Sequence, residues 1–305
     1  MSDRPGAHGI VLLDKPAGWT SNRTTRRIQR LFGAQSAGHL GTLDPFATGL
    51  LPVMLGDATR LAPWLEGGDK AYVAELAPGV ATDTLDRDGA VTETREIPPD
   101  VRERLLVALP RFVGTLRQRV PAFSAAKIDG VRRCDLARAG QALEAKFKDV
   151  VIRDLRLAEG AAAGPLVLQV TCGPGTYVRQ LVADLGDAIG CGAHTSRLRR
   201  TRVGAFSADA AVTPELLESS APESRAEFLV DPSSALPGPL WTAGGAEWSS
   251  LAQGRAIEWT GGAAEEALVF VEADGLLRAV TVVRGGRLHP KRVLQHGLRL
   301  GGGRP

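Results

Sequence analysis

The sequence predicts an α+β protein with two domains, and three observations lead to this prediction. The chain has 305 residues, 44% of them apolar, and a domain typically takes about 100–200 residues. Strand-like and helix-like apolar patterns alternate up to about residue 230. The stretch 231–240 is rich in Pro and Ser, which is typical of a linker, and short strand-like runs follow it.

The first elements are predicted to be a buried strand and a basic helix. Residues 9–13 form an apolar run, and the stretch Asp14-Lys-Pro-Ala-Gly18 ends it. Ser21 is a suitable N-cap for a helix that buries Ile28 and Leu31 and turns its arginines outward. Residues 38–49 form a loop dense in Gly and Pro.

The later elements follow from the spacing of apolar residues. We expect strands at 70–76, 150–157 and 166–172, and helices at 101–112 and 178–189. Beyond the linker, strands at 267–271 and 276–283 flank Ala273-Asp274-Gly275, a hairpin signal, and Gly285-Gly286 marks another turn. This tail is a β domain of about 70 residues, close to the lower limit for independent stability.

Composition and charge exclude several classes of protein. The 37 basic and 34 acidic residues leave a net charge of only +3, so a basic surface requires local clustering. The chain has only three cysteines, which argues against a disulfide framework, and none of them forms a C-x-x-C pair, which argues against a structural zinc site. We find no secretory signal and no apolar stretch near the roughly 20 residues of a membrane span. We therefore expect a cytoplasmic protein with no membrane partner.

Asp44 is the first candidate for chemistry. It precedes Pro45, which keeps Asp44 out of helical geometry. An Asp followed by Pro is also a common helix start, and this interpretation stays open. A carboxylate on a Gly-flanked loop is equally suited to act as a nucleophile or general base. His39, on the same loop, is by itself more typical of a packed residue.

The second candidate is Arg179, at the end of the stretch Cys172-Gly-Pro-Gly-Thr-Tyr-Val-Arg179. If Thr176 caps the following helix, Arg179 lies in the first turn, where the helix dipole disfavours a cation by about 0.3–1 kcal/mol. Arg179 either points into solvent or is placed there to hold a carboxylate. The turn lacks the spacing of the known phosphate-binding loops.

Two clusters of positive charge favour a nucleic acid as the partner. Residues 117–148 contain eight basic and three acidic residues, a local charge of +5 that leaves −2 for the rest of the chain. Four arginines follow between Arg197 and Arg202. Such clusters bind a phosphate backbone by displacing counterions. The two tyrosines, Tyr72 and Tyr177, both lie in or beside the candidate motifs, and an aromatic ring can stack on an unpaired base.

In combination, the motifs resemble the bacterial tRNA pseudouridine-55 synthases of the TruB type. The resemblance is collinear over about residues 9–206, and its most specific block is Gly38-His-Leu-Gly-Thr-Leu-Asp-Pro-Phe-Ala-Thr-Gly49. The other matching stretches are Gly9–Gly18, Lys70-Ala-Tyr72, Thr82–Asp86, Pro121–Lys127, Gly175–Arg179, Asp184–Gly186, Gly190–His194 and Leu198-Arg-Arg200.

The resemblance implies an isomerase that acts on one uridine in the TΨC arm of tRNA without a metal or cofactor. Asp44 matches the catalytic aspartate, Arg179 its basic partner, and Tyr72 the tyrosine that stacks on the target base and assists proton loss from C5. Asp44 either traps C1′ covalently or removes a proton from C2′ to give a glycal, and both routes stay open. The target base must leave its stack, by base flipping, to reach Asp44.

The resemblance also implies RNA-binding residues and a domain organisation. The implied substrate-binding residues are His39, Tyr177, Leu198, Lys15, Lys127 and Arg138. The implied fold is α+β, with a mixed-sheet pseudouridine synthase domain over 1–232, an RNA-clamping insertion at 117–148 and a PUA-like β-barrel over 233–305. A purely structural β tail is the alternative to the PUA-like domain. We expect tRNA as the partner, a monomer and no obligate protein partner.

Three departures from the family pattern bear on individual RNA contacts. Cys134-Asp-Leu-Ala-Arg138 stands where the family has Tyr-Glu-x-Ala-Arg, Phe123 where it has Tyr, and Pro174 where it has a basic residue.

Two other functions are alternatives to the isomerase. A tRNA-binding folding chaperone would not require Asp44, Tyr72 and Arg179 together, and a glycosidase would need a second catalytic carboxylate.

Overall fold

The computed structural model describes residues 6–124, 126–128, 130–141, 144–159 and 164–301, without the side chains of Lys127 and Arg132. The strands are β1 (Gly9–Lys15), β2 (Ala37–His39), β3 (Thr48–Leu55), β4 (Lys70–Pro78), β5 (Val80–Thr82), β6 (Val91–Thr94), β7 (Gly114–Arg119), β8 (Lys127–Ile128), β9 (Val131–Arg132), β10 (Phe147–Leu157), β11 (Leu166–Cys172), β12 (Ala193–Val203), β13 (Phe206–Ser207), β14 (Leu229–Val230), β15 (Leu240–Thr242), β16 (Ile257–Glu258), β17 (Leu268–Ala273), β18 (Leu276–Arg284) and β19 (Arg287–Arg299). The α-helices are α1 (Ser21–Leu31), α2 (Ala62–Leu65), α3 (Val101–Ala108), α4 (Arg133–Arg138), α5 (Val178–Ala188), α6 (Pro214–Ser219) and α7 (Gly245–Ala252).

A large mixed sheet carries the first 230 residues. Its strand order is β14-β1-β3-β12-β4-β11-β10-β7, with β2 paired to β3 and β13 to β12. Neighbouring strands are antiparallel except β12 and β3, which pair in parallel only at Arg199↔Thr48 and Arg200↔Gly49. This pairing involves the first two residues of β3, so the loop between β2 and β3 ends beside β12, near the middle of the sheet.

The two faces of the large sheet bury different cores. Val11 and Leu13 of β1 pack on one face with residues of α1, α3 and α5. Their neighbours Ile10 and Leu12 point to the other face, as the two-residue period of a strand requires. There they pack in one cluster with Phe270, Leu277 and Val280 from the tail of the chain.

The tail forms a second sheet with the order β15-β17-β18-β19-β16. Polar contacts support the apolar junction between the two sheets, because Asp57 accepts hydrogen bonds from the backbone N–H groups of His296 (2.7 Å) and Gly297 (3.2 Å). His8 stacks on His296 with ring centroids 4.3 Å apart. The tail thus gains stability from a core shared with the first sheet, which compensates for its small size.

The structure confirms most predicted elements and corrects several boundaries. The hairpin at Ala273-Asp274-Gly275 forms between β17 and β18, and the predicted helix at 178–189 is α5. The cap of α1 is Thr20 rather than Ser21, since the Thr20 hydroxyl accepts from the Arg23 N–H. The predicted helix at 101–112 ends as an α-helix at Ala108 and continues as a 3-10 turn that contains Pro110. No described helix is long and apolar enough to cross a membrane.

Candidate active site

Asp44 lies on the loop between β2 and β3, and buried contacts fix this loop from two sides. The Ser21 hydroxyl accepts a hydrogen bond from the Leu43 N–H (2.8 Å) and donates one to the Leu43 carbonyl (2.9 Å). Ser21 is 2% exposed. Asp44 begins a turn closed by the Ala47 N–H donating to the Asp44 carbonyl, so of the two interpretations left open, the helix start is wrong.

Lys15 holds the other side of the loop. Its ammonium group is buried and donates to the carbonyls of Pro16 (2.8 Å), Trp19 (2.8 Å) and Pro45 (3.3 Å). Burial lowers the pKa of Lys15 to about 8, although the charge of Asp44 opposes the shift. Since an ammonium has three N–H donors, these carbonyls occupy all of them.

Arg179 pairs directly with Asp44 from the first turn of α5. Arg179 Nε lies 2.7 Å from Asp44 Oδ2, and Arg179 Nη2 lies 3.1 Å from Asp44 Oδ1. The arginine is 4% exposed, whereas the carboxylate is 34% exposed. The helix begins after Tyr177 without a side-chain cap, so the expected cap by Thr176 is wrong. Arg179 holds a carboxylate rather than pointing into solvent.

A second carboxylate, Asp86, contacts the same guanidinium group. Asp86 Oδ2 lies 3.4 Å from Arg179 Nη1. Asp86 also accepts hydrogen bonds from the Thr84 hydroxyl (2.7 Å) and the Asp88 N–H (3.1 Å). Burial raises the pKa of Asp86, and these bonds and the charge of Arg179 oppose the shift. Leu85, between Thr84 and Asp86 in the sequence, adopts a left-handed backbone conformation (φ 64°), which is uncommon for a non-glycine residue.

Backbone carbonyls complete the environment of Arg179. Its Nη1 donates to the Thr84 carbonyl and its Nη2 to the Phe123 carbonyl, the latter at 2.9 Å. The departure from the family pattern at Phe123 leaves this contact intact because a carbonyl, not a side chain, makes it. With two carboxylates and two carbonyls around it, the guanidinium is fixed in the plane that presents Asp44 to the cleft.

The cleft beside Asp44 has a volume of about 360 Å³. Its lining includes Tyr72 of β4, Leu198 of β12, and Pro174 and Tyr177 from the turn before α5. Gln118 holds the Tyr177 backbone, since its side chain accepts from the Tyr177 N–H (2.8 Å) and donates to the Tyr177 carbonyl (3.0 Å). Burial raises the pKa of the Tyr72 hydroxyl. A cleft that combines two tyrosine rings and a leucine with the Asp44 carboxylate suits a planar ring attached to a sugar.

Two buried cations, Lys70 and Arg200, also line this cleft. Burial lowers the pKa of both, and the charge of Arg200 lowers that of Lys70 further. β12 passes β3 at Gly49, where an added Cβ would lie 2.2 Å from the Arg200 carbonyl oxygen, and φ is +100°. Only glycine fits both this approach and this conformation.

A second groove, of about 430 Å³, lies on the other side of Asp44. Asp44, Ser124, Cys134 and Arg138 all line it. Arg138 is 69% exposed on α4 and lies 3.6 Å from Asp135. Arg138 therefore brings one cation of the basic segment to the groove beside Asp44, since the excursion between β7 and β10 carries α4. Arg133, on the same helix, is instead buried and donates to the carbonyls of Pro121 and Glu144.

The structure gathers most of the predicted site residues but not all of them. Asp44, Tyr72, Arg179, Tyr177 and Leu198 line one cleft, and Arg138 lines the adjoining groove. His39 is half-buried on β2, opposite Val53, and burial lowers its pKa. Lys15 lies behind the loop, and the side chain of Lys127 is outside the described residues. The roles of these residues in binding RNA stay predictions.

Four residues that shape the site were not predicted from the sequence. They are Ser21 as a contact of the Asp44 loop, Asp86, Lys70 and Arg200. Three of these lie inside motifs that the resemblance used: Asp86 in Thr82–Asp86, Lys70 beside Tyr72, and Arg200 at the end of Leu198-Arg-Arg200. The sequence did not indicate that these side chains are buried in the site, and this is why they were missed. In the described part of the chain, no group of three or more His, Cys, Asp or Glu side chains could hold a metal ion.

Sequence comparisons identify relatives over almost the whole chain. Residues 29–178 match the family model for the TruB family pseudouridylate synthase N-terminal domain, and residues 179–232 match the tRNA pseudouridylate synthase B C-terminal domain. A protein of Caulobacter vibrioides named tRNA pseudouridine synthase B is 42% identical over 298 residues, which cover 94% of this chain and 96% of that protein. One of Ralstonia nicotianae with the same name is 41% identical and covers 95% of each chain.

Solved structures support the fold. One, described as an H/ACA RNP bound to a substrate RNA containing 2′-deoxyuridine, aligns with a TM-score of 0.69 at 23% identity and covers 94% of this chain and 85% of that one. Another, an archaeal box H/ACA sRNP Nop10-Cbf5 complex, gives 0.68 at 23% identity, over 96% and 89% of the two chains. At this identity the likeness concerns architecture, a mixed-sheet domain followed by a small curled β domain.

Proposed function

Because this chain belongs to the TruB family of pseudouridylate synthases, we propose that it converts uridine 55 in the TΨC arm of tRNA to pseudouridine, with Asp44 as the catalytic carboxylate. The observation that carries the proposal is the Asp44–Arg179 pair. Two hydrogen bonds orient a carboxylate that remains exposed to the cleft, while the arginine behind it is buried. A carboxylate fixed in this way can stabilise positive charge that develops at C1′.

The reaction exchanges one bond to C1′ for another. The N1–C1′ bond breaks with its electron pair going to N1, and Asp44 either bonds to C1′ or removes a proton from C2′ to form a glycal. The detached uracil turns and its C5 bonds to C1′, while the Asp44–C1′ bond breaks or the C2′ proton returns. The proton on C5 is then lost and N1 gains one, so no atoms are added or removed overall.

The cleft supports base flipping as the way in which uridine reaches Asp44. Its volume of about 360 Å³ accommodates a single nucleotide, and a uridine can enter such a cleft beside Asp44 once it has left its stack in the RNA. Unstacking costs a few kcal/mol. In this proposal the exposed cations of the 117–148 segment, among them Arg138, supply that free energy by binding phosphates. The tail, as a PUA-like domain, adds contacts elsewhere on the tRNA.

The test is tritium release from a tRNA transcript labelled at C5 of uridine. C5 loses its hydrogen only when the new carbon–carbon bond forms, so release reports the reaction itself. We expect the wild type to release tritium and Asp44→Asn to release none while still binding the tRNA. A transcript with cytidine in place of uridine 55 should release none with either protein.

A matched control is Asp100→Asn, which alters an exposed carboxylate paired with Arg104 on α3. It should retain turnover. Release by Asp44→Asn at the wild-type rate would disprove the role of Asp44. Tight tRNA binding by the wild type without any release would instead favour the chaperone function.

A further inference from the structure

We propose that Arg200 is a positioning residue for Tyr72, and that its buried guanidinium group stabilises the phenolate form of Tyr72, which accepts the C5 proton of the target base. This inference rests on the proposed function. It deepens that function by explaining how a buried tyrosine can act as a base in a site where the structure offers few other groups.

The burial of Arg200 without a carboxylate partner calls for an explanation. Arg200 is fully buried, and no carboxylate among the described residues lies within 4.0 Å of its guanidinium. It instead donates to the carbonyls of Leu50 (2.8 Å), Gly41 (3.0 Å) and Leu40 (3.4 Å). A buried charge is costly unless it is paired. Arg200 is thus a cation whose charge is only partly compensated, held rigidly by the backbone.

Tyr72 is a neighbouring group that can compensate this charge when it ionises. The two residues are direct register partners on β12 and β4, so their side chains lie on the same face of the sheet. Both line the cleft. Burial raises the pKa of Tyr72, whereas the positive charge of Arg200 opposes this shift.

The other charged groups around the pair come from several elements. Asp44 on the loop and Cys172 on β11 act against the phenolate, and burial keeps Cys172 protonated by raising its pKa to about 11. Lys15, Lys70 and His39 each interact with the charge of Arg200. Of the groups that act on the pKa of Tyr72, Arg200 favours the ionised form, whereas Asp44 and Cys172 oppose it.

The chemical step follows from this arrangement. After C5 bonds to C1′, C5 carries both a hydrogen and the sugar. The Tyr72 phenolate takes that proton, the C–H electron pair forms the C5=C6 double bond, and the N1=C6 electrons return to N1. N1 then gains a proton, and Tyr72 is restored by losing one. Arg200 compensates the phenolate charge until the proton arrives, and takes no part in bond making.

The first test is the titration of Tyr72 by NMR of protein labelled with carbon-13 at tyrosine Cζ. The chain contains only two tyrosines, so Tyr177→Phe assigns the two signals. Arg200→Gln should raise the pKa of Tyr72, and Arg200→Lys should raise it less because the charge is kept. Arg197→Gln is the matched control, since Arg197 lies on the same strand but is 79% exposed, and it should leave the titration unchanged.

The second test is a double-mutant cycle with tritium release as the readout. Arg200→Gln should lower kcat about 10²-fold in the wild-type background, the low end of the contribution of a general base, with little change in KM. In the Tyr72→Phe background the same substitution should change kcat by less than about threefold. Thermal unfolding followed by circular dichroism establishes that each variant is folded.

Two results would overturn the inference. One is an unchanged titration of Tyr72 in folded Arg200→Gln. The other is an equal loss of kcat with and without Tyr72, which would assign Arg200 a purely structural role in holding the loop. If the wild type itself releases no tritium, the proposed function fails, but the NMR titration still decides whether Arg200 stabilises the Tyr72 phenolate.

Discussion

Ser21 offers a direct way to test whether the position of the Asp44 loop, rather than its chemistry alone, sets the rate. In Ser21→Ala, the Leu43 N–H and carbonyl lose their shared partner, the Ser21 hydroxyl. Each buried polar group left without a partner costs about 1–3 kcal/mol, so the two groups together cost the loop about 2–6 kcal/mol. Since about 1.4 kcal/mol corresponds to a tenfold change in an equilibrium, the lower end of this range lowers the population of the ordered loop by up to about 30-fold.

The assay is single-turnover tritium release, combined with the dissociation constant for tRNA. We expect kcat of Ser21→Ala to fall about 10- to 30-fold, and the melting temperature to fall as well, with the tRNA affinity nearly unchanged. Thr24→Val is the matched control. Thr24 is equally buried on the same helix, but its hydroxyl bonds only to the Thr20 carbonyl, away from the loop. It should lower stability without lowering kcat.

An outcome in which Ser21→Ala and Thr24→Val lose stability equally and keep the wild-type kcat would refute the reasoning. It would mean that Lys15 and the turn at Asp44 hold the loop without help from Ser21. A loss confined to tRNA affinity would refute it too, because Ser21 would then act on the RNA.

Two further predictions follow from the same geometry. Asp86→Asn keeps an acceptor for the Thr84 hydroxyl but removes the negative charge 3.4 Å from Arg179. We therefore expect kcat to fall about 10-fold with tRNA affinity unchanged. Single-turnover tritium release and filter binding would measure the two quantities. Lys15 titrates near pH 8 in the folded protein against about 10.5 in the unfolded chain, so the unfolded state binds more protons between these values. In that range, we expect the unfolding free energy of the wild type to rise with pH relative to that of Lys15→Met, by up to about 1.4 kcal/mol per pH unit. Denaturant titrations at several pH values would measure this difference in unfolding free energy. A difference that stays constant with pH would contradict the prediction.

The sequence predicted the elements whose signals are local. The apolar run of β1 and the helical spacing of α5 depend on near neighbours, and the Asp274-Gly275 turn depends on glycine at a positive φ. Where a boundary was off, the competing signals were one residue apart, as with Thr20 and Ser21 at the start of α1. The hydroxyl that the sequence offered as a cap is used instead to hold the Asp44 loop.

The ordered motifs also identified the centre of the site. Asp44, Tyr72 and Arg179 are separated by up to 135 residues, and their resemblance to a family carried the expectation that they meet. Residue patterns alone left Arg179 pointing either into solvent or at a carboxylate, since nothing local distinguishes the two. The ion pair of Arg179 with Asp44 and Asp86 exists because β3, β4 and α5 converge, and this convergence is a property of the sheet order.

What only the tertiary structure decided is which charges lie in water and which do not. Arg197 and Arg200 belong to the same cluster of positive charge in the sequence. In the structure, however, Arg197 is 79% exposed while Arg200 is fully buried. Likewise Lys15, predicted as an RNA contact, has its ammonium enclosed by three carbonyls. The physical reason is that burial depends on strands distant in sequence. The sequence by itself determined which chemistry is available, and the packing of the sheet determined which of those groups can reach a substrate.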